Sequence, residues 1–282
     1  MNKNIQTFIG CDREYKDASI VLFGAPFDGT VSYRPGARFG SSAVRSESYG
    51  IETYSPYQDK DLCDIEVYDG GDLELPFGNT EHALSVIENY CRRLIKDKKV
   101  PVMVGGEHLV TLGTVRALVD EYPDLHVIHM DAHTDLRDHY LGEKLSHACV
   151  MKRLWEILGD KRIFQFGIRS GEKHEFEFAE KHLFIRKFDF SGLEELLPRL
   201  SGKPVYLSLD LDVLDPSVLG GTGTPEAGGV TFKELLGALL KMKDLVMVGA
   251  DVCELAPHYD PSGVSTAVAC KLLREILLLI GG

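Results

Sequence analysis

The feature that most constrains this chain is a rhythm. Eight short apolar runs recur along its 282 residues, and each is followed by a segment with helical spacing. The runs lie at 19–27 (SIVLFGAPF), 65–71 (IEVYDGG), 101–106 (PVMVGG), 125–131 (LHVIHMD), 162–169, 183–189, 205–212 (VYLSLDLD) and 245–252 (LVMVGADV). Helical patterns fall near 41–50, 80–97, 110–121, 146–158, 172–181, 192–200, 231–242 and 263–280. Continuous apolar runs mean strands covered on both faces, and strands separated by helices mean parallel neighbours. The pattern therefore predicts an α/β fold with a mainly parallel eight-stranded sheet. A closed barrel of eight strands fits the same count, and the pattern alone does not choose between them. No linker, charge block or repeat divides the chain, so residues 1–282 read as a single domain.

Composition narrows the partners. A net charge of −12 argues against nucleic acid and is compatible with a small cationic substrate. The six cysteines, at 11, 63, 91, 149, 253 and 270, form no C-x-x-C. They read as reduced, buried apolar residues of a cytoplasmic protein. The opening MNKNIQTFIGCD has no long apolar core of the kind a leader needs. The most apolar stretch, ILLLI at 276–280, is too short to span a bilayer and reads as the buried end of a C-terminal helix. No membrane partner is expected.

Open parallel sheets and barrels both bind ligands beyond the C-terminal ends of their strands. The polar clusters fall there. VMVGGEH ends at Glu107 and His108; VIHMDAHTD carries Asp131, His133 and Asp135; YLSLDLD ends at Asp210 and Asp212; MVGADVCE ends at Asp251 and Glu254. Residues two apart in an extended chain point the same way, so Asp131, His133 and Asp135 are expected to converge, as are Asp210 and Asp212. With His108 this makes two imidazoles and four carboxylates. Four close carboxylates repel unless a cation compensates them, and two divalent ions carry the matching charge. Mixed oxygen and imidazole donors without cysteine suit manganese, with cobalt, iron or nickel as substitutes. The expected cofactor is two Mn2+ per subunit. Glu107 and Asp251 read as structural or as orienting ligating histidines, while His129 and Asp138 stay ambiguous.

The segments GGEHLVTLG (105–113), DAHTDLRD (131–138), SLDLDVLDP (208–216) and GTGTPEAGG (221–229) together resemble the ureohydrolase family of arginases, agmatinases and their relatives. GAPFDGTVSYRPGARFGSSAVR (24–45) and DVCELAPHYDPSGVSTAVA (251–269) fit the same family, in order, over nearly the whole chain. The resemblance implies a three-layer α/β/α fold rather than a barrel. It implies two manganese ions on His108, Asp131, His133, Asp135, Asp210 and Asp212, with Asp135 and either Asp210 or Asp131 as bridging ligands. It implies a water activated to hydroxide that attacks a guanidinium carbon and yields urea and an amine. His147, in KLSHACVM, matches the family's catalytic histidine, which moves a proton to the departing amine. Its other reading is a histidine opening a helix behind a Ser146 cap. Glu254 matches the glutamate that holds the guanidinium; otherwise it is a loop glutamate. Family members are homo-oligomers, commonly trimers or hexamers.

The loop at 136–151, LRDHYLGEKLSHACVM, lacks the Asn- and Ser-containing pattern of arginases and is most similar to bacterial agmatinases. That implies hydrolysis of agmatine to putrescine and urea. Asp138 or Glu143 is expected to meet the distal ammonium. The alternatives are another guanidino substrate, guanidinobutyrate or arginine, and more remotely formiminoglutamate, whose anionic end would want a basic pocket. An inactive regulatory member is the rival of a different class, disfavoured because all six ligands, His147 and Glu254 are present. The Gly-rich 219–229 segment either shapes the rim of the site or forms an interface.

Overall fold

A computed structural model describes residues 6–282; the first five residues of the stretch read above for a leader lie outside it. Ten strands form: β1 (Ile20–Ala25), β2 (Tyr54–Ser55), β3 (Lys60–Asp61), β4 (Val67–Asp72), β5 (Val100–Gly105), β6 (His126–Met130), β7 (Ile163–Ile168), β8 (Phe184–Lys187), β9 (Pro204–Asp210) and β10 (Val246–Cys253). Eight of them make one sheet in the order β4-β1-β5-β10-β9-β6-β7-β8, with every pairing parallel. The sheet has two free edges, β4 and β8, so it is open and not a barrel. The eight predicted runs coincide with these eight strands to within two residues at each end.

The helices are α1 (Gly40–Glu47), α2 (Thr80–Lys96), α3 (Thr111–Glu121), α4 (Val150–Leu158), α5 (Lys173–His182), α6 (Leu193–Leu200), α7 (Phe232–Lys241) and α8 (Val264–Gly281). Alternate residues of each central strand feed two separate cores, as the two-residue period of a strand requires. In β1, Ile20 and Leu22 join one core, and Val21 and Phe23 the other. The first core is closed by α1, α6, α7 and α8 through Val44, Leu196, Leu239 and Leu273. The second is closed by α2, α3, α4 and α5 through Ile87, Leu118, Leu154 and Ala179. Each buried aliphatic side chain contributes roughly 1.5–3 kcal/mol, which is why the runs carry so few polar residues before their ends. Ile276 to Leu279 are buried in α8, as expected of that tail. Among the described residues no helix is long and apolar enough to cross a membrane.

Three expectations are corrected. The short antiparallel hairpin of β2 and β3 was not anticipated, because strands of two residues carry no periodicity. Cys63 is exposed, unlike the other five cysteines, because it sits in a surface turn capped by Asp61. The helix expected from 146 starts at Val150, behind a 3-10 turn over His147–Cys149.

Sheet order positions the site. β5 and β6 follow one another in sequence, yet β10 and β9 are inserted between them. The order in which successive strands are added therefore reverses across the sheet, and a crevice opens beyond the strand ends at such a switch point. The four strands that end in acids and histidines, β5, β10, β9 and β6, are consecutive neighbours there.

Candidate metal centre and its cavity

His108, Asp131, His133, Asp135, Asp210 and Asp212 come together at this edge, although only partly by the expected route. β6 ends at Met130, and Asp131 to Asp135 are not an extended strand. Asp135 has a left-handed backbone (φ 52°), a conformation costly for a non-glycine residue and concentrated where a side chain must be aimed. Asp210 is the last residue of β9 and caps the 3-10 turn Leu211–Val213, in which Asp212 lies. Glu254, just past β10, also has a left-handed backbone (φ 66°).

His108 Nδ1 is the centre of the cluster. It lies 3.0 Å from Asp131 Oδ2, 3.3 Å from Asp135 Oδ2 and 3.2 Å from Asp210 Oδ2. It is buried and makes no hydrogen bond despite these neighbours. Three carboxylates from two segments thus aim at the same point as an orphaned imidazole nitrogen, which is what a shared cation asks of its donors. His133 Nδ1 lies 3.0 Å from Asp212 Oδ2 and 3.5 Å from Asp131 Oδ1. Two donor groups emerge, one holding His108, His129, Asp131 and Asp135 and the other Asp131, His133 and Asp212. Asp131 is common to both. No Lys or Arg pairs with any of the four aspartates among the described residues. The cluster is compatible with metal binding by its donor types, spacing and uncompensated charge.

Titration reflects the same imbalance. Burial, then the charges of Asp212 and Asp131, hold Asp210 well above the usual carboxylate range. Burial and Asp131 push Asp135 up to about 6. Against its burial, Asp131 is held well below its usual range by His129, His108 and His133. Burial opposes protonation of His108, but Asp131, Asp135 and Asp210 outweigh it and raise its pKa. Positive charge is what every part of this cluster favours.

The surroundings fix the orientation of the clustered side chains. His108 Nε2 meets Ser208 Oγ at 2.8 Å, and Ser208 Oγ donates to Asp251 Oδ1 at 2.9 Å. Asp251 also accepts from Tyr206 and Thr111, so it orients His108 through a serine. His129, ambiguous in the sequence, lies inside the cluster. Gln165 Nε2 donates to the Thr134 carbonyl (2.7 Å) and faces His129 Nδ1 (3.1 Å). A carbonyl only accepts, so the amide nitrogen must face it, and its second hydrogen goes to His129 Nδ1. His129 Nε2 then carries the proton donated to Asp131 Oδ2 at 2.8 Å. His129 therefore holds a carboxylate rather than offering a lone pair.

Glu107 orients no ligating histidine. Its buried carboxylate accepts from Thr30 N–H (2.8 Å) and from the Thr30 hydroxyl. Gly106 makes that approach feasible: a Cβ there would stand 1.8 Å from the Phe27 carbonyl oxygen. Burial, opposed by the Thr30 contacts, pushes Glu107 up to about 7. Thr30 in turn accepts from His147 N–H at 3.0 Å. Ser146 makes no capping hydrogen bond; its hydroxyl lies 3.4 Å from His147 Nδ1. Burial, then positive His133 and His108, push His147 down to about 4. Glu254 Oε1 accepts from His108 N–H at 2.8 Å.

A cavity of about 260 Å³ opens over the cluster, lined among others by His108, His133, Asp135, His147, Asp210 and Glu254. Asp138 and Glu143 are not among its lining residues. Asp138 is turned away by Arg153 (3.0 Å) and His139 (2.7 Å). Glu143 closes a tight backbone turn with Tyr140 and borders a neighbouring surface depression. Besides Glu254, the acids that line the cavity beyond the cluster are Glu172 and Glu175. Glu175 is committed to Thr134, Leu136 N–H and Glu172 N–H. Glu172 is half-exposed and pairs with Arg137 at 2.9 Å. The Gly-rich segment reaches the rim: Thr224 lines the cavity and donates to Asp212 Oδ2 at 3.3 Å. Ser208 and His129 were within reach of the sequence, each lying on a strand two residues before an aspartate of the cluster. Thr30, Gln165 and Glu172 carried no such signal.

The arginase family model matches residues 18–279. The agmatinase of Bacillus subtilis (strain 168) is 47% identical over 277 residues, spanning 97% of this chain and 96% of that protein. The N(1)-aminopropylagmatine ureohydrolase of Thermococcus kodakarensis is 38% identical over 265 residues, 90% of this chain and 89% of that one. Among solved structures, the agmatine ureohydrolase of Thermoplasma volcanium superposes with a TM-score of 0.90 at 32% identity, covering 98% of this chain and 94% of that one. The arginase of Medicago truncatula superposes with a TM-score of 0.83 at 26% identity, covering 94% and 88%.

Proposed function

We propose, from the premise that the chain belongs to the arginase family, that it hydrolyses the guanidinium group of agmatine to putrescine and urea. The observation that carries the reading is the orphaned His108 Nδ1 facing three buried carboxylate oxygens within 3.3 Å. In this proposal His108, Asp131, His133, Asp135, Asp210 and Asp212 would hold two Mn2+ ions there. What such a pair supplies when bound is Lewis acidity and a water acidified toward neutral pH.

The chain's own residues do the rest. Glu254 binds the guanidinium: Oε1 is engaged by His108 N–H, and Oε2 makes no hydrogen bond among the described residues. Asp251, Ser208, Gln165 and His129 keep the ligand carboxylates and imidazoles aimed. The departing alkylamine is a poor leaving group unless protonated. His147, pushed down to about 4 by burial and its charged neighbours, starts neutral at neutral pH and so can accept a proton and hand it on. Glu172 meets the distal ammonium of agmatine. Arg137, the one Lys or Arg lining the cavity among the described residues, is neutralised by Glu172, so no free cation repels that tail. The proposal takes residues 1–282 as one catalytic domain, working in the cytoplasm as a homo-oligomer, a trimer or hexamer.

The deciding experiment is urea release by manganese-loaded protein, with agmatine, arginine and 4-guanidinobutyrate compared by kcat/KM. A preference for agmatine of about a hundredfold, roughly 2.7 kcal/mol of transition-state discrimination, is expected. Preference for another guanidine overturns the substrate. No urea from any of the three overturns the activity.

A further inference from the structure

The catalytic assignment of His147 leaves open which ring nitrogen handles the proton, and the structure answers this through two residues outside the expected site. Thr30 Oγ1 lies 3.3 Å from His147 Nδ1 and accepts the His147 backbone N–H at 3.0 Å. The Thr30 hydroxyl also contacts Glu107 Oε1, while Glu107 Oε2 accepts Thr30 N–H at 2.8 Å. A hydroxyl has one proton and two lone pairs. When ionised, Glu107 can only accept, so the threonine proton then goes to it. Both lone pairs of Thr30 then face His147, one toward the backbone N–H and one toward Nδ1. Only an Nδ1–H satisfies the second. Ser146 Oγ, 3.4 Å from the same nitrogen, makes no other side-chain hydrogen bond among the described residues and can turn to suit either tautomer, so it does not decide.

We propose that Thr30, oriented by Glu107, is a positioning residue that locks His147 in the Nδ1–H tautomer and leaves Nε2 as the atom that takes up and releases the proton. Nε2 lies on the other side of the ring, 3.5 Å from Ser32 Oγ, and both Ser32 and His147 line the cavity over the cluster. Protonation there leaves every Thr30 contact intact, so the ring need not turn between receiving a proton and delivering it. This arrangement deepens the agmatine reading and rests on it for its catalytic consequence, but the tautomer itself does not.

Three variants test it. Thr30→Val keeps the shape and removes the hydroxyl. Thr30→Ser keeps the hydroxyl. In Glu107→Gln, the oxygen that accepts Thr30 N–H must remain an oxygen, so the new NH2 faces Thr30 Oγ1 and reverses the hydroxyl, which then donates to Nδ1. Solid-state 15N spectra of histidine-labelled protein, loaded with a diamagnetic divalent ion at about pH 9 where Glu107 is ionised, report the tautomer. The His147 signal is assigned by its loss in His147→Gln. Wild type and Thr30→Ser are expected to show Nδ1–H, Glu107→Gln to show Nε2–H, and Thr30→Val to lose the preference. In agmatine turnover, Thr30→Val and Glu107→Gln should lower kcat by about a hundredfold with little change in KM, and Thr30→Ser should restore it. An Nδ1–H signal retained in Glu107→Gln, or kcat in Thr30→Val close to wild type, overturns the proposal. A wild type that shows the Nδ1–H tautomer but releases no urea overturns the agmatine reading instead.

Discussion

Two buried charged clusters in this molecule look alike by composition and differ in balance. At Arg274 and Glu275, on α8, both side chains are almost fully buried. Glu275 Oε1 takes two donors from Arg274, and Oε2 takes Ser55 (2.7 Å) and Gln58 (2.8 Å). Arg274 Nη1 donates to the carbonyls of Glu52 and Tyr54. Charge and hydrogen bonds both close, and the cluster ties the β2–β3 region to α8. At His108 and the four aspartates neither closes: among the described residues the carboxylates have no Lys or Arg partner, and an imidazole nitrogen is orphaned. Buried charge that cancels is architecture, whereas buried charge left over marks where a ligand belongs.

The sharpest way to break this contrast is to substitute one member of each cluster. Asp210→Asn should lower urea release about a thousandfold or more, since it removes a ligand. In metal-free protein the same change should leave the thermal midpoint unchanged or raise it, because one of several repelling carboxylates is neutralised. A large fall in that midpoint would instead class Asp210 with Glu275. Arg274→Met should do the reverse. Stranding Glu275 costs about 3–5 kcal/mol, roughly a 10 °C lower midpoint, while turnover per folded molecule stays within about twofold. Pairing it with Glu275→Leu should recover part of the loss, because no charge is then left buried; a double variant worse than Arg274→Met alone would contradict that account.

The same distinction explains how much was legible in the sequence. The eight sheet strands were, because the six inner ones are buried on both faces and read as apolar runs, while the edge strands β4 and β8 keep shorter apolar stretches. The choice between open sheet and barrel was not legible from pattern. It turns on β10 and β9 inserting between β5 and β6, a long-range pairing with no local signature. Five of the six clustered residues were picked out by a two-residue period, and His108 by its place at a strand end; the period describes their spacing but not their backbone, since Asp135 turns left-handed and Asp212 lies in a 3-10 turn. The run of acids misleads beyond Asp135. Asp138 continues the acidic run in sequence, but the chain has left the cluster and Arg153 captures it. Thr30 and Gln165 escaped notice because their roles depend on partners 77 and 36 residues away.

A milder test separates holding a ligand from being one. His129→Phe removes the donor to Asp131 Oδ2 while leaving every carboxylate in place. Metal affinity, measured by competition with a chelator, should fall about 10–100-fold, with near-stoichiometric metal still bound at excess. Complete loss of one ion would make His129 a direct ligand and refute the tautomer deduced from Gln165.

The smallest expected effects compare acids that line the cavity with acids that merely lie near it in sequence. Glu172 is half-exposed at the mouth, with Arg137 and His174 beside its carboxylate, so a second cation can approach it at little desolvation cost. Asp138 is already paired with Arg153 and His139, which hold it on the outside of the same loop. Glu172→Gln should therefore raise KM for agmatine by about 5–10-fold, the worth of roughly 1 kcal/mol for a solvent-screened ion pair, with kcat little changed. Asp138→Asn and Glu143→Gln should leave both constants within about twofold. The reverse ranking would mean that the 136–151 loop moves when substrate binds and brings Asp138 or Glu143 inward. A flat result across all three would place recognition of the amine tail with backbone carbonyls or with water at the mouth.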